Sequence, residues 1–84
     1  MLKSLASEYF GTLLLILVIA LIGNPLAIGG ALWVAIMLVG KYSGGHFNPA
    51  VTLWAFLKGN IDSELAIGHV LAQLAAAATV WKLA

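Results

Sequence analysis

Five polar side chains stand where chemistry could be done: Glu8, His46, Asn48, His69 and Gln73. An imidazole changes charge near neutral pH, so His46 and His69 could do acid–base work. Catalysis would also need a nucleophile–base pair or a second carboxylate nearby, and no motif of that kind accompanies either histidine. Cysteine is absent, which excludes a disulfide framework and a thiolate metal site. A hydrogen bond that fixes a loop is the expected role of His46. Asn48 precedes Pro49, and this order is a helix start, with asparagine preferred as the cap and proline at the first helical position. A capping asparagine spends its carbonyl oxygen on helix N–H groups and keeps its NH₂ as a donor. It can therefore cap the helix and bind a small polar molecule at once. Gly44 and Gly45 lack side chains and so let a molecule approach their carbonyls, or else serve a tight turn with positive φ. Pro49 and Ala50 complete the helix start.

The elements that must hold these groups follow from composition. Of 84 residues, 63% are hydrophobic and 8% charged, and the mean hydropathy is +1.08. Soluble domains carry about 25% charged residues, so neither a soluble globule nor a disordered chain fits. A net charge of +1 offers no field for nucleic acid. An integral membrane protein remains, with the lipid bilayer as its surroundings. Residues 9–40 carry no charge. As one helix they would run about 48 Å, too long for a hydrocarbon core of about 30 Å. The chain must fold back, and Gly23-Asn24-Pro25 is the breaker. Spans are expected near 5–22, 26–42 and 65–81. Lys3 before an apolar run is reminiscent of a signal peptide, but Glu8 interrupts that run and two further spans follow. With the N-terminus cytoplasmic, Lys3, Lys41 and Lys58 lie inside and Lys82 outside, which favours that orientation.

Between the second and third spans, Ser43-Gly44-Gly45-His46-Phe47 resists helix formation. Asn48-Pro49 then starts an apolar helix that ends near Lys58 and Gly59. Its length, about 14 Å, reaches half way through the bilayer core. Residues 43–58 therefore read as a re-entrant loop and half-helix, or as an interfacial helix lying flat. Non-helical backbone at membrane depth is tolerated only against protein or a wet cavity, so the re-entrant reading implies a polar path. Glu8 lies in or beside the first span. It is either a functional intramembrane carboxylate or a snorkelling one. His69 and Gln73, four residues apart, share one face of the third span and could hydrogen-bond across helices. Trp33, Trp54 and Trp81 suit packing or the membrane interface. Ala27, Gly30, Ala31, Ala35 and residues 75–78 suit close helix packing.

The run Ser43-Gly44-Gly45-His46-Phe47-Asn48-Pro49-Ala50-Val51-Thr52 resembles the first half of the aquaporin, or major intrinsic protein, family. Glu8-Tyr9-Phe10-Gly11-Thr12 is similar to the opening of that family's first span, and Gly68-His69-Val70-Leu71-Ala72-Gln73 to its third, where tyrosine often stands at the position of His69. The resemblance implies an all-α membrane fold: a single half repeat over 1–84, with three spanning helices and one re-entrant half-helix. The complete family fold joins two such repeats, inverted, with two half-helices meeting head to head. It implies passive passage of water or a small neutral solute such as glycerol, not enzymatic activity, and no cofactor or metal. It assigns the pore to the Asn48 amide, the carbonyls of Gly44, Gly45 and His46, and the motif residues Pro49 and Ala50. Glu8 and Gln73 become supports of the pore loop. The family's aromatic filter position falls on Ile28, a departure that leaves substrate choice open. One half cannot enclose a pore, so a second half-channel, from a second copy or another chain, is the implied partner, with a homo-oligomer as one form. The alternative is a non-conducting fragment or interaction subunit.

Overall fold

The computed structural model describes residues 1–84 and is all-helical. Helix α1 covers Leu2–Leu21, α2 Pro25–Ser43, α3 Pro49–Leu57 and α4 Ser63–Leu83. Their ends follow local chemistry. At the close of α1 the N–H groups of Ile22 and Gly23 both donate to the Val18 carbonyl, with Gly23 at φ +77° turning the chain. Asn24 caps α2 by accepting from the Ala27 N–H at 2.8 Å, and Pro25 fills the first helical position. Gly44, at φ +90°, ends α2 and donates to the Gly40 carbonyl at 2.7 Å. The close of α3 is a Schellman motif, in which Gly59 donates to Phe56 and Asn60 to Ala55. Asp62 caps α4, accepting from Leu65 N–H at 2.8 Å, with Glu64 in the first turn and Lys82 in the last.

Helices α1, α2 and α4 have 20, 19 and 21 residues, and each is long and apolar enough to cross a membrane. At 1.5 Å per residue they run about 28–32 Å, close to the hydrocarbon thickness. Both α1 and α4 extend a little beyond the apolar windows expected for them. Lysine and glutamate are good helix formers, and Lys3, Glu64 and Lys82 continue the helices past the apolar runs. Helix α3 has nine residues. Helix α1 packs between α2 and α4, and α3 packs on α4.

The packing is inverted relative to a water-soluble domain. Helix α1 buries Ser4, Ser7, Glu8, Gly11 and Thr12, a polar and small stripe at helical spacing. Helix α4 buries His69, Gln73, Ala76 and Val80, and α2 contributes Ala31 and Ala35. Leucines, isoleucines and all three tryptophans face outward. Lipid is as apolar as leucine, so the helices associate through small residues and hydrogen bonds instead. The expected small-residue packing is only partly realised. Ala27 is half-buried, while Gly30, Ala75, Ala77 and Ala78 are exposed, because Ala31, Ala35 and Ala76 alone lie on the faces turned to α1 and its neighbours.

Candidate functional site

Glu8 is fully buried at the centre of the bundle and its carboxylate receives four donors. Oε2 accepts from Ser43 Oγ at 2.7 Å and from the His46 N–H at 3.0 Å. Oε1 accepts from the Phe47 N–H at 2.8 Å and from Gln73 Nε2 at 2.7 Å. One side chain of α1 thus ties the end of α2, two consecutive loop amides and α4 to a single point. Bonds to a charged acceptor are the strong ones, which explains how a glycine-rich loop keeps one shape.

The loop backbone is correspondingly unusual. Gly44 and Gly45 have φ of +90° and +67°, and Phe47, a bulky residue, has φ of +54°. A left-handed non-glycine residue is strained by about 1–3 kcal/mol and persists only where its surroundings over-determine it. Two contacts do so here. The Phe47 N–H is held by Glu8, and its ring lies against Gly11, where a Cβ would overlap it. Gly11 therefore acts as the socket for the loop's one buried aromatic. No backbone or side-chain donor of the chain reaches the carbonyl oxygens of Gly44, Gly45, His46 or Phe47.

Asn48 follows and caps α3. Its Oδ1 accepts from the Ala50 N–H at 2.7 Å, leaving its NH₂ without an intramolecular partner on an exposed residue. Pro49, Ala50 and Val51 are exposed beside it. On its inner side α3 buries Thr52 and Ala55. Gln73 Nε2 donates both to Glu8 and, at 2.9 Å, to Thr52 Oγ1. Thr52 Oγ1 also meets His46 Nδ1 at 3.0 Å. His46 Nδ1 meets His69 Nδ1 at 3.0 Å, and His69 Nε2 meets Ser4 Oγ at 2.6 Å.

The structure thus brings together Glu8, Gly44, Gly45, His46, Asn48 and Gln73, with Pro49 and Ala50 adjoining. Ile28 is half-buried near the start of α2 and takes no part in the Glu8 network. Ser4, Ser43, Thr52 and His69 complete the network, and Thr52 and Ser4 were not singled out by residue type or spacing. The carboxylate and the two imidazoles also place potential metal-ligand atoms within 4.8 Å of one another. The Glu8 oxygens are already spent on four donors. The cluster is built as a hydrogen-bond network.

Three membrane-length helices, with a half-length helix begun by Asn-Pro-Ala packed on the last of them, define an integral membrane protein with half of an aquaporin-like fold. Comparison with known proteins places it further. Residues 18–83 match the family model described as "Major intrinsic protein", and the chain belongs to that family. It is 40% identical over 77 residues to "Glycerol uptake facilitator protein-like 6" of Lactiplantibacillus plantarum, covering 81% of this chain and 36% of the relative. It is 34% identical to "Aquaporin Z" of Photorhabdus laumondii, with 88% and 38% covered, and 41% identical to "Aquaglyceroporin AqpS" of Rhizobium meliloti, with 70% and 25% covered. The chain therefore spans between a quarter and two fifths of the length of these relatives. No solved structure matches it significantly. Family membership sets the enzymatic reading aside.

Proposed function

We propose that this chain is one half of a passive channel for water or a small neutral solute such as glycerol, conducting when a second half covers its open side. One observation carries the reading. Four consecutive carbonyls, of residues 44–47, have no donor within the chain, and beside them stands the free Asn48 amide. In hydrocarbon each unsatisfied group would cost several kcal/mol, so they need water or protein. A row of acceptors ending in a donor suits a small molecule that both donates and accepts, as water and polyols do. Glu8 and Gln73 then serve as supports that hold the loop, and Pro49 and Ala50 set the start of the half-helix. The N-terminus of α3 adds a partial positive charge of about 0.5. Two such ends meeting at the midplane would disfavour cations and protons while neutral molecules pass. The names of the relatives, which include both aquaporins and a glycerol facilitator, support this range without choosing within it.

The three-to-one lysine bias favours a cytoplasmic N-terminus. The same open carbonyls favour a second reading, a non-conducting piece that docks on a partner. Native mass spectrometry from lipid distinguishes a self-complex, a complex with another chain, and a monomer.

The absence of cysteine makes the main test clean. Single cysteines at positions 44–46 and 48–50, in sealed vesicles, should react with water-soluble thiol reagents as a buried aqueous path requires. Cysteines at lipid-facing Leu38 or Leu71 should not. Osmotic swelling of the same vesicles should exceed that of empty ones and fall with Asn48→Ala. Swelling equal to empty vesicles for both water and glycerol would reject conduction by this chain alone. Labelling of these positions as fast as at an exposed terminus would reject the dipping loop itself.

A further inference from the structure

Hydrogen-bond bookkeeping at the two histidines leads beyond the pore reading, on which part of its meaning rests. Gln73 Nε2 uses both of its hydrogens, one on Glu8 and one on Thr52 Oγ1. Thr52 is fully buried, and the only partners of its hydroxyl are that amide and His46 Nδ1. Its oxygen accepts from Gln73, so its hydrogen goes to His46 Nδ1. His46 Nδ1 is then bare and acts as an acceptor. His69 Nδ1, also 3.0 Å away, must therefore carry the proton it shares with His46. His69 Nε2 is left bare, and it accepts from the Ser4 hydroxyl at 2.6 Å. Both donors therefore converge on His46 Nδ1, each at 3.0 Å. The reverse assignment would leave the Thr52 hydroxyl hydrogen buried with no acceptor, a state that native interiors avoid.

We infer that Thr52, its hydroxyl oriented by Gln73, is a positioning residue that locks His46 as the Nε2–H tautomer and aims that N–H outward as a one-way donor, with His69 adding a second donor to the same ring nitrogen. The outward edge has a place to point. His46 Nε2 makes no hydrogen bond within the chain and lies over exposed Gly44, where an added Cβ would come within 3.2 Å of it. Glycine there leaves the N–H uncovered. The chain thus carries a second fixed donor, two residues before Asn48 in the sequence, suited to the oxygen of water or of a hydroxyl solute.

The test is nitrogen NMR of the ¹⁵N-labelled full chain in lipid nanodiscs at a pH where both rings are neutral, since imidazole nitrogens report protonation directly. The expected spectrum shows His46 protonated at Nε2 and bare at Nδ1, with His69 the opposite. In Thr52→Val, which removes the hydroxyl that decides the assignment, His46 should become a mixture of tautomers. In Thr52→Ser, which restores a hydroxyl there, the single tautomer should return. His46 found as Nδ1–H, or His69 as Nε2–H, in the unaltered chain overturns the inference. So does an unchanged His46 in Thr52→Val. If that variant fails to fold, the spectrum of the unaltered chain alone decides. The readout is independent of transport, so vesicles that fail to swell would reject the pore while leaving the tautomers to stand or fall by the spectrum.

Discussion

A carboxylate in an apolar helix must be solvated by something, and Glu8 is solvated by the loop it organises. Glutamine in its place keeps the size but offers one acceptor oxygen and an NH₂ that would face other donors. In Glu8→Gln the His46 and Phe47 amides therefore cannot both be satisfied. Charge-assisted bonds of this kind contribute about 1.5–3 kcal/mol each. Hydrogen exchange at those two amides should quicken by roughly 10- to 150-fold in Glu8→Gln, at about tenfold per 1.4 kcal/mol. Unchanged exchange would mean that Glu8 does not brace the loop. That Glu8 and Gln73 would seek polar partners was legible in the sequence, because isolated polar groups among apolar ones must find them, but whether Glu8 would be buried or snorkel was not, and only the family resemblance implied that it supports the loop. Ser4 and Thr52 were not. A hydroxyl on an apolar helix can satisfy itself on the preceding turn, as Ser7 does on the Lys3 carbonyl and Thr79 on that of Ala75. Only the assembled helices reveal that Ser4 and Thr52 reach across. The meeting of His46 with His69, 23 residues apart, depends likewise on how α4 lies against the loop.

Each helix is placed by its ends and by what its glycines leave open. The breaker Gly23-Asn24-Pro25 and the helix start Asn48-Pro49 are local signals, so the order of elements could be read directly, whereas the Asp62 cap of α4 shows only in the structure. The left-handed Phe47 could not, since nothing in a bulky aromatic announces positive φ; it is imposed by Glu8 and by the socket at Gly11. Two glycines make opposite predictions. Alanine at Gly11 would overlap the rigid, buried Phe47 ring. It should destabilise the fold by about 1–3 kcal/mol, the usual cost of overpacking, and release the loop. Alanine at Gly68 meets only the flexible end of Leu5, which can turn aside. It should therefore be tolerated, with its better helix propensity worth up to about 1 kcal/mol in return. Denaturation in mixed micelles compares the two, and equal losses would contradict the socket. Asn48 separates capping from donation in the same way. Asn48→Asp keeps an oxygen on the Ala50 N–H, whereas Asn48→Ala removes it at a cost of about 1 kcal/mol. If the amide acts on the solute, both variants should reduce swelling although only the alanine weakens the helix. Normal swelling in Asn48→Asp would confine Asn48 to capping.

At the scale of the whole molecule, polarity runs from inside to out, with Glu8, Thr52, His69 and Gln73 sealed within and tryptophan, leucine and isoleucine on the surface. Such a molecule is stable only where its exterior meets lipid, and its three tryptophans, all exposed, sit at different heights along their helices. Trp33 lies near the middle of α2 and Trp81 near the end of α4, beside Lys82. Trp54 is the informative one, because its depth separates the two placements of α3. If α3 dips from the surface and starts at the midplane with Asn48, Trp54 lies six residues nearer the surface, about 9 Å at 1.5 Å per residue. If α3 lies flat, Trp54 is at the headgroups with the rest of that helix. Single-tryptophan variants, the other two replaced by phenylalanine, can be quenched by lipids brominated at graded depths. Trp33 should respond best to deep labels, Trp81 to shallow ones, and Trp54 to labels between them. Quenching of Trp54 at the depth of Trp81 or shallower would put α3 in the interface. The four open carbonyls of 44–47 would then be hydrated by bulk water at the surface, with no passage needed to explain them.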